Sequence, residues 1–214
     1  QIANDIFDVV NADRVANGLA PLNRRASLDM AAQSHALDMS VRVYADHLDP
    51  EGRAHLHRIR AIARTMLVGA SGSNITVSKS ASDALEVHNK IKQDDYSADN
   101  ILRDSFTDIG IGVVEEAGQY YVVQVFAGAE GDLPEAIPVS AIGTAPLRMD
   151  FASRDQRLLA WGLTDANSGE VLVRGSVPRV RYSSLDGADA SLDVVVGQGT
   201  RSYVLKGPLV NGQN

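Results

Sequence analysis

Residues 108–127 constrain the fold more than any other stretch of this chain. Ile109, Ile111 and Val113 alternate with Gly110, Gly112 and Val114, the period-two pattern of a strand with two different faces. Residues 120–127 are again strand-like, and the connection Glu116-Ala-Gly-Gln119 is short and contains glycine. The spacing predicts an antiparallel hairpin of strands over 108–115 and 120–127. Gly110 and Gly112 leave one strand face bare, so the element that covers it comes close to the backbone.

The segments before the hairpin read as covering helices. Residues 2–17 carry Ile2, Ile6, Val9 and Val10 on one face, with Asp5, Asp8 and Arg14 off it. Gly18 is placed to stop this helix and Pro21 prevents its resumption. Ser27 is placed to cap a second helix, with Leu28, Ala31, Ala32, His35, Met39 and Val43 as its buried face. Asp49 as N-cap, Pro50 and Glu51 open a third helix, running to about residue 64. A short strand over 66–68 then gives way to the loop Gly69-Ala-Ser-Gly-Ser-Asn74. Ser80-Ala-Ser-Asp83 has the form of a capping box for a fourth helix, ending near Lys92. Asp94, Asp95 and Asp99, with Tyr96, follow as an acidic loop that oxygen chemistry would allow to hold calcium; the spacing does not match the EF-hand loop.

After the hairpin the texture changes. Residues 129–138 are rich in Gly, Pro and Glu and read as a linker. Short strand-like runs then recur at 147–151, 158–163, 170–175, 179–182, 192–196 and 203–205, separated by Gly- or Asp-rich turns. This is the pattern of a small all-β sandwich, of Ig-like type.

Composition excludes several classes of function. The 214 residues contain no cysteine, which rules out disulfides, thiol catalysis and cysteine-ligated zinc. Net charge is −7, whereas a nucleic-acid partner calls for a basic face. From Glu135 onward there are 8 basic and 8 acidic residues, so the first 134 carry the whole imbalance. No apolar run is long enough to predict a transmembrane segment. Gln1 opens directly onto a helical pattern with no signal peptide, a start that a mature secreted protein shares; the expected location, secreted or periplasmic, follows from the family resemblance below.

Four stretches together resemble one family. They are Val10-Asn-Ala-Asp-Arg14 with Gly18-Leu-Ala-Pro-Leu22, Ala31-Ala-Gln-Ser-His35-Ala-Leu-Asp-Met39, His47-Leu-Asp-Pro-Glu-Gly-Arg53, and Asn100-Ile-Leu102 with Phe106-Thr-Asp-Ile-Gly-Ile-Gly112 and the strand that follows. In this order they resemble the bacterial branch of the CAP superfamily, also called SCP or PR-1-like, over about residues 1–128. The resemblance implies an α-β-α sandwich, which agrees with the helices and hairpin read above. The expected fold class is α+β: a CAP-like domain over 1–130, a linker over 131–136 and the small all-β domain over 137–214.

The resemblance also implies a cleft with two histidines and acidic residues, able in some members to hold a divalent metal. His47 matches the first histidine. The family's glutamate falls on Ser73, between Gly72 and Asn74. The second histidine falls on Ser97, or on Tyr96 with a one-residue slip, and the fourth helix's tryptophan falls on His88. The expected cleft is thus His47, Ser73, Asn74, His88, Tyr96 and Ser97. A zinc site normally takes three or four N, S or O ligands, so no metal or other cofactor is expected. Ser71 and Ser73 do not form a nucleophile elbow. His35 reads as a packed histidine hydrogen-bonded to backbone. His55 and His57, two apart on a helix, point in different directions. Trp161 reads as core.

Two functional readings follow. One is an exported bacterial binding protein without catalysis, recognising a surface component, polysaccharide, lipid or protein partner. The other is a peptidase-like hydrolase in which His47 is the candidate catalytic residue, with His88 or an aspartate recruited as its partner.

Overall fold

The computed structural model describes residues 1–79 and 83–213. The chain divides into two compact units, one of residues 1–59 and 70–128, the other of residues 60–69 and 129–214. Among the described residues no helix is long and apolar enough to cross a membrane.

The first unit contains α1 (Ile2–Ala16), β1 (Asn23–Arg24), α2 (Ala26–Arg42) and the start of α3 (His55–Ile62). It also holds most of β2 (Met66–Ser78), then α4 (Ala84–Ile91), α5 (Asp95–Ile101), β3 (Asp108–Glu116) and most of β4 (Gln119–Asp132). The strands lie in the order β1-β3-β4-β2. β3 and β4 form the expected hairpin, from Asp108 opposite Ala127 to Glu116 opposite Gln119. Ala117 and Gly118 turn it with φ of 51° and 74°, the left-handed pair that matches strand twist.

Period two then sorts the layers. Ile109 and Ile111 join Ile6, Val10, Val87, Ile101, Phe106 and Phe126 in one apolar core. Gly110 and Gly112 point the other way, to α2: a Cβ on Gly110 would lie 2.0 Å from the backbone carbon of Leu28, and one on Gly112 2.3 Å from the Gln33 amide nitrogen. Helices therefore cover both faces of the sheet, an α-β-α sandwich.

Several local expectations are corrected. Arg14 is buried, only 1% exposed, because it continues the Ile6, Val10 stripe at four-residue spacing. Its guanidinium donates to the carbonyls of Ala20 (2.9 Å), Ile101 (2.8 Å), Arg103 (3.0 Å) and Phe106 (3.4 Å). Arg25, not Ser27, is the N-cap of α2, and Val43 ends that helix in the left-handed region, 81% exposed, instead of joining its buried face. The third helix starts at His55, not Pro50. Gly52 has φ +79°, and Asp49 accepts from the Glu51 and Arg53 amides and from the Arg53 guanidinium, so it caps a tight loop. Burial alone would raise the Asp49 pKa; the Arg53 hydrogen bonds outweigh it and hold the carboxyl low. Gly69-Ala-Ser-Gly-Ser-Asn74 is not a loop but the middle of β2. The acidic loop is α5, whose N-cap Asp94 accepts from the Ser97 amide and hydroxyl. Asp83 caps α4 through the Leu85 amide; the rest of the expected capping box, residues 80–82, lies outside the described residues.

The second unit holds β5 (Ser140–Ile142), β6 (Thr144–Pro146), β7 (Asp150–Phe151), β8 (Gln156–Asp165), β9 (Val171–Gly175), β10 (Arg179–Arg181), β11 (Asp189–Gln198) and β12 (Arg201–Gln213), with a 3₁₀ turn at Tyr182–Leu185. An antiparallel sheet runs β12-β11-β8-β9, and β6 and β10 form a separate antiparallel ribbon. Leu163, Val180, Leu192, Val194, Val196 and Leu205 fill its core. Trp161 is buried there too, its indole N–H donating to the Val177 carbonyl at 2.6 Å. Residues 129–132, read as linker, instead continue β4.

Residues 60–69 are tied into this unit by two arginines. Arg60 donates to Asp193 (2.6 Å) and to the carbonyls of Gly207 and Leu192 (2.8 Å each). Arg64 donates to the carbonyls of Ile137 and Pro138, both at 3.0 Å.

Candidate functional site

β2 builds the site. In an extended strand, residues two apart share a face, so Ser71 and Ser73 point the same way. His55, at the first turn of α3, meets both: its Nε2 is 3.1 Å from the Ser71 hydroxyl and its Nδ1 3.3 Å from the Ser73 hydroxyl. His47, on the loop between α2 and α3, places Nδ1 3.0 Å from the same Ser73 hydroxyl. The result is a chain of four groups, Ser71–His55–Ser73–His47.

Its proton arrangement is limited by one fact: a serine hydroxyl donates once. Ser73 therefore donates to one Nδ1 and accepts from the other. When His47 carries a proton on Nδ1, Ser73 turns its hydrogen to His55, which must then carry its own on Nε2, toward Ser71. The reverse arrangement is equally closed. Burial, with the His47 and Arg58 charges acting in the same direction, lowers the His55 pKa to about 4, so this ring is neutral near pH 7.

A second, fully buried network holds Ser73 in place. Asn100 donates to the Ser73 carbonyl (3.3 Å) and to the Asn74 side-chain oxygen (3.0 Å); Asn74 donates to the Ser97 carbonyl and to Gln124, both at 3.0 Å. A Cβ on Gly72 would lie 2.9 Å from Asn100 Oδ1 and from Phe106, so glycine is what lets β2 sit this close.

On the open side, the Tyr96 ring meets His47 edge-on at 5.8 Å and 86°, and is 49% exposed. Of the expected cleft residues, His47, Ser73 and Tyr96 are therefore in contact, and Asn74 and Ser97 stand behind them as support. His88 is elsewhere: its Nε2 bonds Asp13 at 3.1 Å, beside Lys92 at 2.7 Å from the same oxygen. Lys92 and His88 outweigh burial to keep the Asp13 pKa low. His35 is buried against Tyr44, ring centroids 6.1 Å apart, as a packed histidine; the Asp46 backbone faces it without meeting strict hydrogen-bond geometry. Burial and the Arg58 charge lower its pKa to about 4, opposed by the facing Asp46 backbone.

His55 is the site residue that the sequence did not reveal. Its alternation with the two serines was hidden because residues 69–74 read as a turn.

The donor set at the site is two imidazoles and two hydroxyls. Among the described residues no group of three or more His, Asp or Glu is placed to hold a metal ion, and neither His47 nor His55 hydrogen-bonds to a carboxylate, though the charge of His47 helps hold the Asp94 carboxyl low.

The fold has solved counterparts. An outer surface protein from Borrelia burgdorferi superposes with a TM-score of 0.53 at 13% identity, over 60% of this chain and 96% of that one. An extracellular protein containing an SCP domain from Bacillus anthracis aligns at 23% identity and TM-score 0.49, over 59% of this chain and 40% of that one. A cysteine-rich secretory protein from Staphylococcus aureus aligns at 18% and 0.44, over 59% and 38%. The match thus spans less than two thirds of these last two proteins. No curated protein sequence matches this chain. The family model for CAP, the cysteine-rich secretory protein family, matches residues 7–126, more than half of the chain, and the chain belongs to that family.

Proposed function

We propose that this protein is an extracytoplasmic binding protein without catalysis, whose His47–Tyr96 face recognises a polysaccharide component of a cell surface. One observation carries the reading. Ser73, the hydroxyl on which both imidazoles converge, is 0% exposed. A nucleophile has to reach its substrate, and this one is sealed beneath the two rings. The imidazole nitrogens that approach it are spent on a closed hydrogen-bond chain, and neither ring is hydrogen-bonded to a carboxylate among the described residues.

What faces outward suits recognition. Tyr96 offers a half-exposed ring face with a hydroxyl at its edge, and His47 keeps Nε2 free of any bond to described residues. A flat ring beside polar hydrogen-bonding groups fits a sugar, apolar on one face and hydroxylated at its rim. The extracellular and outer-surface descriptions of the Bacillus and Borrelia proteins support the location.

The test has two readouts on the intact chain. A glycan array is expected to show binding that weakens in Tyr96→Ala and His47→Ala. A fluorogenic peptide and ester panel from pH 5 to 8 is expected to show no turnover that depends on His47. A blank array, with a lipid or protein partner captured instead, rejects the polysaccharide; turnover abolished by His47→Ala rejects the non-catalytic reading and restores the hydrolase.

A further inference from the structure

The second unit carries a separate cluster of arginines. On β10, Arg179 and Arg181 flank the buried Val180, so both project from its outer face. Arg174 lies on β9, opposite Gly162. These three arginines line a cavity of about 530 Å³ together with Thr144, Ser176 and Ser184, beside Trp161.

Its chemistry is one-sided. No carboxylate lines the cavity. The other arginines of this unit that enter its interior, Arg60 and Arg64, are fully occupied by carbonyls and Asp193. Arg174, Arg179 and Arg181 have no side-chain hydrogen bond or ion pair among the described residues. Residues 135–214 hold equal numbers of acidic and basic groups, yet three cations are gathered here with no counter-charge. Such a cluster repels itself, and a concave wall of one sign concentrates its field on an incoming anion. No internal contact accounts for the arrangement.

The geometry points to a binding site for a sulfate- or phosphate-ester group carried on a polyhydroxylated chain, an anionic glycan. Guanidinium forks match tetrahedral oxyanions in paired hydrogen bonds. The hydroxyls supply the remaining partners, and the volume, in the range of small-molecule sites, exceeds what a bare anion fills. The net charge of −7 opposes such a ligand only at long range, where salt screens it beyond about 8 Å. This inference uses the second unit alone and does not depend on the His47 site.

The test is titration calorimetry of the intact protein with dextran sulfate, dextran phosphate and neutral dextran. At least one charged polymer is expected to bind, neutral dextran is not, and raising salt weakens the binding. The polymer that binds identifies the ester. The triple variant R174Q/R179Q/R181Q is expected to lose about tenfold or more in affinity, since each exposed charge contact is worth up to about 1 kcal/mol. The control R154Q/R157Q/R201Q removes the same net charge from exposed positions outside the cavity and is expected to stay within about twofold. Failure of both charged polymers to bind overturns the site. So does equal loss in the two triple variants, which would make the effect one of net charge, and so does no loss in either. Should R174Q/R179Q/R181Q fail to fold, the corresponding lysine triple keeps the charge, loses the fork, and is expected to bind more weakly than the control.

Discussion

His47 Nδ1 and His55 Nδ1 address the same atom, the Ser73 hydroxyl oxygen, from 3.0 and 3.3 Å. Removing that oxygen leaves two imidazole nitrogens facing a small void. Ser73→Ala is expected to cost about 1–2 kcal/mol, the scale of leaving buried polar partners unmade. Urea unfolding measures it. NMR of the ring nitrogens should show the His55 tautomer balance changing in the variant; an unchanged balance would mean that Ser73 is not the bridge.

His35 predicts acid sensitivity. Its pKa is lowered from 6.5 to about 4 in the folded chain. Between those values the unfolded state binds a proton that the folded state refuses, so stability rises with pH across that window and is lost as pH falls. The full shift corresponds to about 3 kcal/mol. Melting temperatures followed from pH 7 to 4 should fall less steeply for His35→Leu than for the parent; parallel curves would remove His35 as the cause.

Gly110→Ala places a methyl carbon 2.0 Å from the Leu28 backbone. Neither α2 nor β3 can yield without disturbing the other, so the expected loss is about 1–3 kcal/mol or more. The same change at Gly118, where nothing lies within 4 Å but φ is +74°, should cost about 1 kcal/mol through backbone strain alone. Chemical denaturation of the pair separates contact from conformation.

Arg14→Met keeps the aliphatic stem and removes the donors. Four carbonyls, from Ala20, Ile101, Arg103 and Phe106, lose their partner. With about 1–3 kcal/mol for each buried group left unsatisfied, a loss of at least about 3 kcal/mol is expected by urea titration. A variant as stable as the parent would show that water replaces the guanidinium.

The layered half of the fold was legible because its signals are periodic. Ile109 and Ile111 against Gly110 and Gly112 announce both the hairpin and the close approach of α2. Arg14 escaped notice because a charge at a core position masks an otherwise regular stripe. The site was half legible: His47 and Ser73 were found by resemblance. His55 was not, since its serine partners lie 16 and 18 residues ahead in a Gly/Ser stretch whose turn propensity is overridden by pairing within the sheet. Placing the helix start at Pro50 also put His55 in mid-helix, whereas the positive φ of Gly52 delays that start to His55 itself.

The ten residues 60–69 belong with a part of the chain made much later. Asp193, the carboxylate that receives Arg60, follows it by 133 residues. At about 5–20 residues per second on the ribosome, roughly ten seconds separate the two. Through that interval Arg60 has none of its final partners, while Arg64 meets the carbonyls of Ile137 and Pro138 well before it ends. Nascent chains that end before Leu192 therefore present a cationic Arg60 without its acceptors, and its set is completed only when β12 brings Gly207.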